Sequence, residues 1–397
     1  MSDLRKTTLR NEVDFLVGFP FKSEGYTSEG VRLLRGDNIA QGTLSWSDAK
    51  KWPTSQREDF EPYELQEGDI VLAMDRPWID AGLKYASVSR YDLPCLLVQR
   101  TARLRGGKNL DTKFLKYVIG SPQFTKYIKY ITTGSLVPHI SGDQIKDFSV
   151  HLPHLSTQKK IAAVLSALDA KIDCNNRVNA DLEAMAKALY DYWFVQFDFP
   201  DANGKPYKSS GGKMVYNATL RRDIPVGWNS GNLAALISLE YGKPLKADIR
   251  TGSGFPVIGS NGIVGYHSEY LVQGPGIVIG RKGTVGAITY IHDNFFPIDT
   301  TYYVKQVIDI GFFYLKFLLC SLGLEKMNSD SAVPGLNREA ALRISIVIPP
   351  IGVIEIFESK MAAIFSKQHS ILKENQQLAQ LRDWLLPLLM NGQVTVA

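Results

Sequence analysis

The 397-residue chain has little of what marks the commoner classes of enzyme and secreted protein. Its three cysteines, Cys95, Cys174 and Cys320, are odd in number and show no C-x-x-C spacing, so neither a disulfide framework nor a zinc site is expected. Apolar runs such as 277–279 and 312–319 break off too early to cross a bilayer, and Met1-Ser-Asp-Leu-Arg-Lys6 lacks a signal-peptide core. A cytoplasmic protein without membrane contact is expected. No G-x-x-x-x-G-K-[ST] loop is present, and Gly280-Arg-Lys-Gly-Thr-Val-Gly286 has the wrong spacing for one. The Asn- or Asp-Pro-Pro-aromatic tetrapeptide of amino-methyltransferases is missing. The six histidines show no H-E-x-x-H or other ligand pattern. Glu358-Ser-Lys360 resembles a nuclease E-x-K, but its counterpart in the repeat described below is Ala162-Ala-Val164, so a solvated helix face is expected. No catalytic, cofactor-binding or metal-ligating residue is therefore assigned.

What the chain does contain is itself, twice. Ser135-Leu-Val-Pro-His-Ile140 matches Ser331-Ala-Val-Pro-Gly-Leu336 at an offset of 196, and Phe148-Ser-Val-His-Leu-Pro153 matches Ile344-Ser-Ile-Val-Ile-Pro349 at the same offset. The register continues through Leu165 and Met361, Leu168 and Ile364, Asn179 and Asn375, and Met185 and Leu381. Upstream, Gly18-Phe-Pro-Phe-Lys22 lies on Gly242-Lys-Pro-Leu-Lys246 at 224, and Asp69-Ile-Val-Leu72 on Gly276-Ile-Val-Ile279 at 207. Steps in the offset are the losses that connecting loops tolerate.

Each copy opens with a mixed module. Short apolar β-branched runs (70–72, 96–97, 277–279, 287–291, 300–304) alternate with Gly-rich turns, and a helical stretch follows at about 112–128 and 310–327. Each copy closes with a long helix. After Pro153, Ile161, Leu165, Leu168, Ile172, Leu182, Met185, Leu189 and Tyr192 recur at three- or four-residue spacing, with Asn175 and Asn179 in the two remaining seam positions. The second helix repeats the seam with Met361, Ile364, Ile371, Asn375, Leu378 and Leu385, and Pro387 is expected to end it. Helices of about 35–40 residues extend ~55 Å, and their seams need partners. The expected fold class is α+β: two similar α/β domains separated by two long helices forming an antiparallel coiled coil, with an internal pseudo-two-fold. The boundaries read as 1–152 for the first module, 153–197 for its spacer, 198–223 for a polar linker, 224–350 for the second module and 351–397 for the second spacer.

Charge follows this division. Residues 1–152 carry 21 basic and 19 acidic side chains, and 199–350 carry 15 and 11. Residues 153–198 carry 5 and 6, and 351–397 carry 4 and 4. The cationic excess thus sits in the modules, as phosphate-facing domains on protein-facing spacers require. Three loops recur at matching places and suit phosphates and base edges. In the first module the candidates are Lys22, Arg35, Asn38, Arg76, Ser135, His139 and Ser141. In the second they are Lys246, Ser260, Asn261, Arg281, Lys282, Thr284, Asn337 and Arg338.

With these features assembled, the sequence resembles the specificity subunits of type I restriction-modification enzymes over essentially its whole length. The resemblance rests on Leu152-Pro-His-Leu-Ser-Thr-Gln158 with the helix after it, on Leu189-Tyr-Asp-Tyr-Trp-Phe-Val-Gln-Phe-Asp198, and on Ile224-Pro-Val-Gly-Trp228. Ile279-Gly-Arg-Lys-Gly-Thr-Val-Gly286 and the tail Leu385-Leu-Pro-Leu-Leu-Met-Asn-Gly-Gln-Val394 carry it further. One departure is Ile354, which stands where the first copy has Gln158 and reads as a weakened helix start. The resemblance implies a non-catalytic subunit that reads a bipartite, asymmetric double-stranded DNA site, one half per module. It also implies two modification (methyltransferase) subunits and restriction-translocase subunits as partners. S-adenosylmethionine, ATP and Mg would then bind those partners and not this chain. Two other readings stay open: a specificity subunit whose partner is a fused methyltransferase-nuclease, and a coiled-coil adaptor that does not bind DNA.

Overall fold

The structure, a computed structural model, describes residues 4–79, 81–132, 138–327 and 335–396. The chain divides into two compact units, and the cut falls inside both long helices. Met1–Cys174 with Asn375–Ala397 forms one unit and Asn175–Glu374 the other. Each unit is a module together with the nearer parts of both helices, so the units do not coincide with segments that are continuous in sequence.

Within the first unit, strands Val13–Val17, Thr101–Gly106, Ile70–Ala73 and Tyr85–Ser87 pair side by side in that order, antiparallel throughout. A smaller sheet sets Val31–Leu34 between a parallel Cys95–Leu97 and an antiparallel Lys51–Trp52. Arg5–Thr8 pairs with Ser149–Leu152 and closes the module where the spacer begins. The second unit repeats this. Ile237–Tyr241, Thr301–Gln306, Gly276–Gly280 and Ile288–Ile291 form the main sheet, Phe255–Gly259 lies between Gly262–His267 and Phe296–Pro297, and Asn229–Asn232 pairs with Ser345–Ile348. Strands Arg5–Thr8, Val13–Val17 and Val31–Leu34 land on their counterparts at the sequence offset of 224, and Ser149–Leu152 lands on its counterpart at 196. Thr101 and Thr301, 200 apart, are both fully buried, and each hydroxyl donates to a carbonyl three residues earlier (Val98 and Ile298).

The helical stretch of the first module is broken in two, Thr112–Ile119 and Pro122–Ile131. Ser121 caps the second piece by accepting from the Phe124 N–H, and Pro122 needs no hydrogen bond at that position. In the second module Phe312–Ser321 is followed by a short 3-10 turn, Leu324–Lys326.

The first spacer helix runs Leu155–Tyr190 and widens into a π-turn, Asp191–Val195; the second runs Ile351–Met390. Pro387 does not end the second helix as expected. Leu386 and Leu389 are buried in the first unit's core, and that burial outweighs the one backbone bond proline removes. The helix segments run antiparallel within each unit. In the first, Asp169 meets Arg382 at 3.0 Å, and Ile161 and Leu165 share a core with Leu386 and Leu389. In the second, Asn175 donates to Glu374 at 2.9 Å, Gln368 donates to the Asn179 carbonyl, and Phe194 packs edge-on to Phe357.

Of the seam residues, Ile161, Leu165, Asn175, Met361 and Ile371 are buried, while Leu168, Ile172, Asn179, Leu182, Leu189, Ile364, Asn375, Leu378 and Leu385 are half-buried. Met185 and Tyr192 are off the seam, 61% and 36% exposed, and so is Leu381. Ala186, Tyr190 and Trp193 take the inward positions. Steps of seven from Leu165 run through Ile172, Asn179, Ala186 and Trp193; the expected seam leaves this heptad after Leu182 by a step of three to the apolar Met185, and so arrives one residue early.

Residues 198–223 are not a loose linker. Asp198 accepts from the Ser209 N–H and hydroxyl, Phe199 stacks on Tyr207 with centroids 4.7 Å apart, and Phe197 meets Trp228 edge-on. The hairpin Met214–Asn217 with Arg222–Pro225 then crosses the expected boundary. Aromatics hidden among Gly, Ser and Lys anchor a stretch whose composition alone reads as flexible.

Two further expectations change at the join between module and spacer. Gln158 is 1% exposed, accepts from the Asp111 N–H and donates to the Asn109 and Pro153 carbonyls, so it ties the spacer to the start of Thr112–Ile119. It is therefore a clasp and not a helix-start feature. In the second unit the equivalent Ile354 is buried, and Glu358, one turn later, accepts from the Tyr314 N–H at 2.6 Å and caps Phe312–Ser321. Glu358 is not a solvated side chain. Gly311 precedes that helix at φ +76°, and a Cβ there would collide with the Glu358 carboxylate.

Burial pushes the Glu358 carboxyl up to about 7 against the pull of the backbone N–H groups of Tyr314, Phe313 and Phe312. A carboxyl whose folded pKa lies above its unfolded value near 4.5 holds its proton in the folded state alone between those limits. Its contribution is therefore full below 4.5, falls as pH rises to 7, and is flat beyond. Glu358→Gln keeps an acceptor and removes the titration. From pH 5.5 to 7.5 the wild type should lose melting temperature relative to this variant. Parallel curves would mean that Glu358 ionises as an ordinary carboxyl.

Candidate nucleic-acid interface

The recurring loops gather, within each module, at one end of the main sheet. Backbone bonds build that end in both copies. In the first module the Ile140 N–H donates to the Met74 carbonyl, and in the second the Leu336 N–H donates to the Arg281 carbonyl, each at 2.9 Å. The pairs correspond at offsets of 196 and 207. Five-residue helices follow, Gly142–Lys146 and Arg338–Leu342, capped by Ser141 and Asn337, which accept from the Gln144 and Ala340 N–H groups. The two caps are again 196 apart. Both candidates thus serve the scaffold, Ser141 fully through a reciprocal bond with Gln144, and Asn337 from an exposed position.

In the first module, Arg76 is exposed with a left-handed backbone (φ +45°), and its N–H donates to the Pro138 carbonyl. His139 Nδ1 lies 2.5 Å from Asp75 Oδ1, while Asp75 Oδ2 accepts from Arg100 at 2.9 Å. Lys84 belongs to the same surface. Burial holds its ammonium below the usual range, Arg76 pushes the same way, and Asp37 opposes. Arg35 pairs with Asp37 at 3.2 Å. Asn38 is different. It is 6% exposed, accepts from the Arg35 N–H and donates to the Ser45 carbonyl, so it locks the turn and presents no edge to a ligand. Lys22 is exposed, without a hydrogen bond or ion pair tying it to this group. Ser135 lies outside the described residues.

In the second module the Arg281 and Lys282 N–H groups both donate to the Thr300 carbonyl, and Ser260 lies against Gly283. Lys282, Thr284 and Asn261 are exposed. The Arg281 guanidinium donates to the Asp299 carbonyl and sits over Tyr241 and Tyr302, 5.2 and 5.9 Å from their centroids. Arg338 approaches Tyr241 at 5.5 Å. Tyr302 donates to the Leu336 carbonyl, and burial, with Tyr241 beside it, pushes its hydroxyl up to about 12. Tyr241, 50% exposed between two arginines, was missed from sequence. It ends a strand at the position that Val17 holds in the first copy, and no local spacing distinguishes it. Lys246 is exposed, next to the short turn Ala247–Ile249 and apart from this group. None of these loop residues forms a metal-ligating group. Among the described residues one such group exists elsewhere, His292, Asp293 and His369.

Cationic side chains, small residues and a stacked arginine–tyrosine pair beside exposed amides suit a phosphate backbone and base edges, and supply no nucleophile with a base. The family comparison agrees. The type I restriction modification DNA specificity domain matches residues 23–184 and again residues 225–382. Two matches covering more than half of the chain place this protein in that family. The type I restriction enzyme EcoAI specificity subunit of Escherichia coli is 41% identical over 166 residues, 42% of this chain but only 28% of that protein. The HindI specificity subunit of Haemophilus influenzae is 24% identical over 417 aligned residues, 83% of this chain and 87% of that one. In fold, the chain is similar to the S subunit of the type I restriction-modification system from M. genitalium, with a TM-score of 0.56, 19% identity, and coverage of 98% and 96%. No helix among the described residues is long and apolar enough to cross a membrane.

The division between scaffold and surface can be measured. Asn38→Ala should cost about 1–3 kcal/mol in urea unfolding, because it orphans buried backbone groups. Lys282→Ala and Asn261→Ala should stay within about 0.5 kcal/mol. A neutral Asn38→Ala would return that residue to the candidate ligand face.

Proposed function

We propose that this chain is the non-catalytic specificity subunit of a type I restriction-modification complex, reading a bipartite, asymmetric double-stranded DNA site with one half per module. The observation that carries this reading is the loop cluster built twice on the same backbone bonds but finished with different side chains. A shared scaffold with divergent surfaces suits two different half-sites. On this reading S-adenosylmethionine, ATP and Mg act on partner subunits. The methyltransferase partners would dock on the spacers, whose outer faces carry Trp384, Met185 and Leu372 at 62%, 61% and 53% exposure. A fused methyltransferase-nuclease would dock on the same faces.

Exchanging residues 1–150 for the first module of another family member should change one half-site only, read by methylation mapping; a change in both halves would sink the two-module reading. Arg281→Ala and Tyr241→Ala should relax recognition of the other half-site, at a cost of roughly 1–3 kcal/mol where a base contact is lost. If competition binding on half-site variants finds both mutants unaltered, the loops are ordinary turns.

The spacer length should set the unread gap between half-sites. Four residues inserted into both helices, 196 apart, add about 6 Å. At ~3.4 Å per base pair the gap should grow by about one or two base pairs. An active complex with an unchanged gap would exclude the helices as the ruler.

A further inference from the structure

We propose that His292, Asp293 and His369 form a binding site for a divalent transition-metal ion, zinc above all, which fastens the second spacer helix to the second module. No H-x-x-x-H or similar spacing announces it, because the two histidines are 77 residues apart (369 − 292). The fold brings them together: their rings lie 3.8 Å apart, and the ligand atoms of all three residues fall within 4.8 Å of one another. Asp293 Oδ1 stands 3.6 Å from His292 Nδ1 and 3.6 Å from His369 Nε2. Ligand atoms about 2.0–2.1 Å from a tetrahedral zinc are separated by roughly 3.3 Å, so only small side-chain rotations are needed. One of these must open the parallel ring stack so that both nitrogen lone pairs converge.

The two sides of the site are held independently. His292 and Asp293 follow strand Ile288–Ile291, and the adjacent Asn294 accepts from the Gly274 N–H at 3.0 Å while Phe295 bridges to Val272. His369 projects from the middle of Ile351–Met390, two turns beyond Met361, which is fully buried in the unit's core. Two imidazoles and a carboxylate are a ligand set for zinc and its late first-row neighbours rather than for magnesium or calcium. The exposed side leaves a position for water, and the ion's role is to crosslink the helix to the strand end. Lys373, with Nζ 4.0 Å from Asp293 Oδ1, competes for the carboxylate and must swing away when metal enters. The first copy has Asp173 at the position of His369, and among the described residues its unit holds no equivalent group.

The test uses the full chain, stripped with chelator and titrated with zinc chloride in a calorimeter, with the melting temperature read in parallel. One equivalent should bind and raise the melting temperature. His292→Ala and His369→Ala should each weaken binding by at least about tenfold, a loss that removing even a residue behind a ligand can produce. Both should abolish the thermal shift. Lys373→Ala should tighten binding, a result that damage to the fold would not give. His292 is exposed, so its alanine variant should fold even if the His369 variant does not. Unchanged zinc affinity in His292→Ala, or no zinc-dependent shift in the wild type, would overturn the site.

Discussion

The modules are joined to their spacers by satisfying helix N-termini that burial would otherwise orphan. A helix start leaves amide groups without partners, and a start pressed against another helix cannot turn to water for them. In the first unit Asp111 accepts from the Phe114 N–H at its own helix start, and Gln158 of the spacer accepts from Asp111 in turn. The second unit has glycine at the corresponding position, and the spacer's Glu358 reaches into the space to take the amides directly. The requirement is shared, while the residues that meet it are not. Module and spacer can thus keep their junction while the sequences around it diverge.

The same logic shows where sequence was legible. Offsets of 224 and 196 between short phrases coincide with the starts and ends of paired strands, because loops absorb insertions and ladders do not. The seam was legible from its apolar spacing, except after Leu182, where the larger apolar Met185 drew the count away from the buried Ala186. Side chains that bond backbone were not legible. Asn38, Ser141 and Asn337 look like polar residues in surface loops, yet they hold a turn and two helix starts. Nothing in composition separates an asparagine that faces solvent from one whose amide is spent on the chain's own carbonyls. Residues 198–223 misled in the opposite direction. Their Gly and Ser content advertises freedom, but Phe197 and Phe199 bury against Trp228, Tyr207 stacks on Phe199, and the freedom is removed.

Divergence on a fixed frame also explains the two candidate faces. In the first module the exposed end of the sheet is a mesh of opposite charges, with Asp75 held between His139 and Arg100, and Arg76 and Lys84 beside it. In the second module the position of Asp75 is Lys282 and that of Met74 is Arg281, and the acidic partner is replaced by the rings of Tyr241 and Tyr302. A guanidinium over an aromatic face keeps its full positive charge, as Arg281 does while giving one N–H to the Asp299 carbonyl, whereas one paired to a carboxylate is neutralised. The first face therefore offers a balanced surface whose cations are partly committed, and the second offers an arginine that is oriented without being neutralised. Both rest on the same carbonyl-to-amide bond between the sheet end and the closing loop. Side-chain chemistry can change there at little cost to the fold, because the bonds that define the position belong to the backbone.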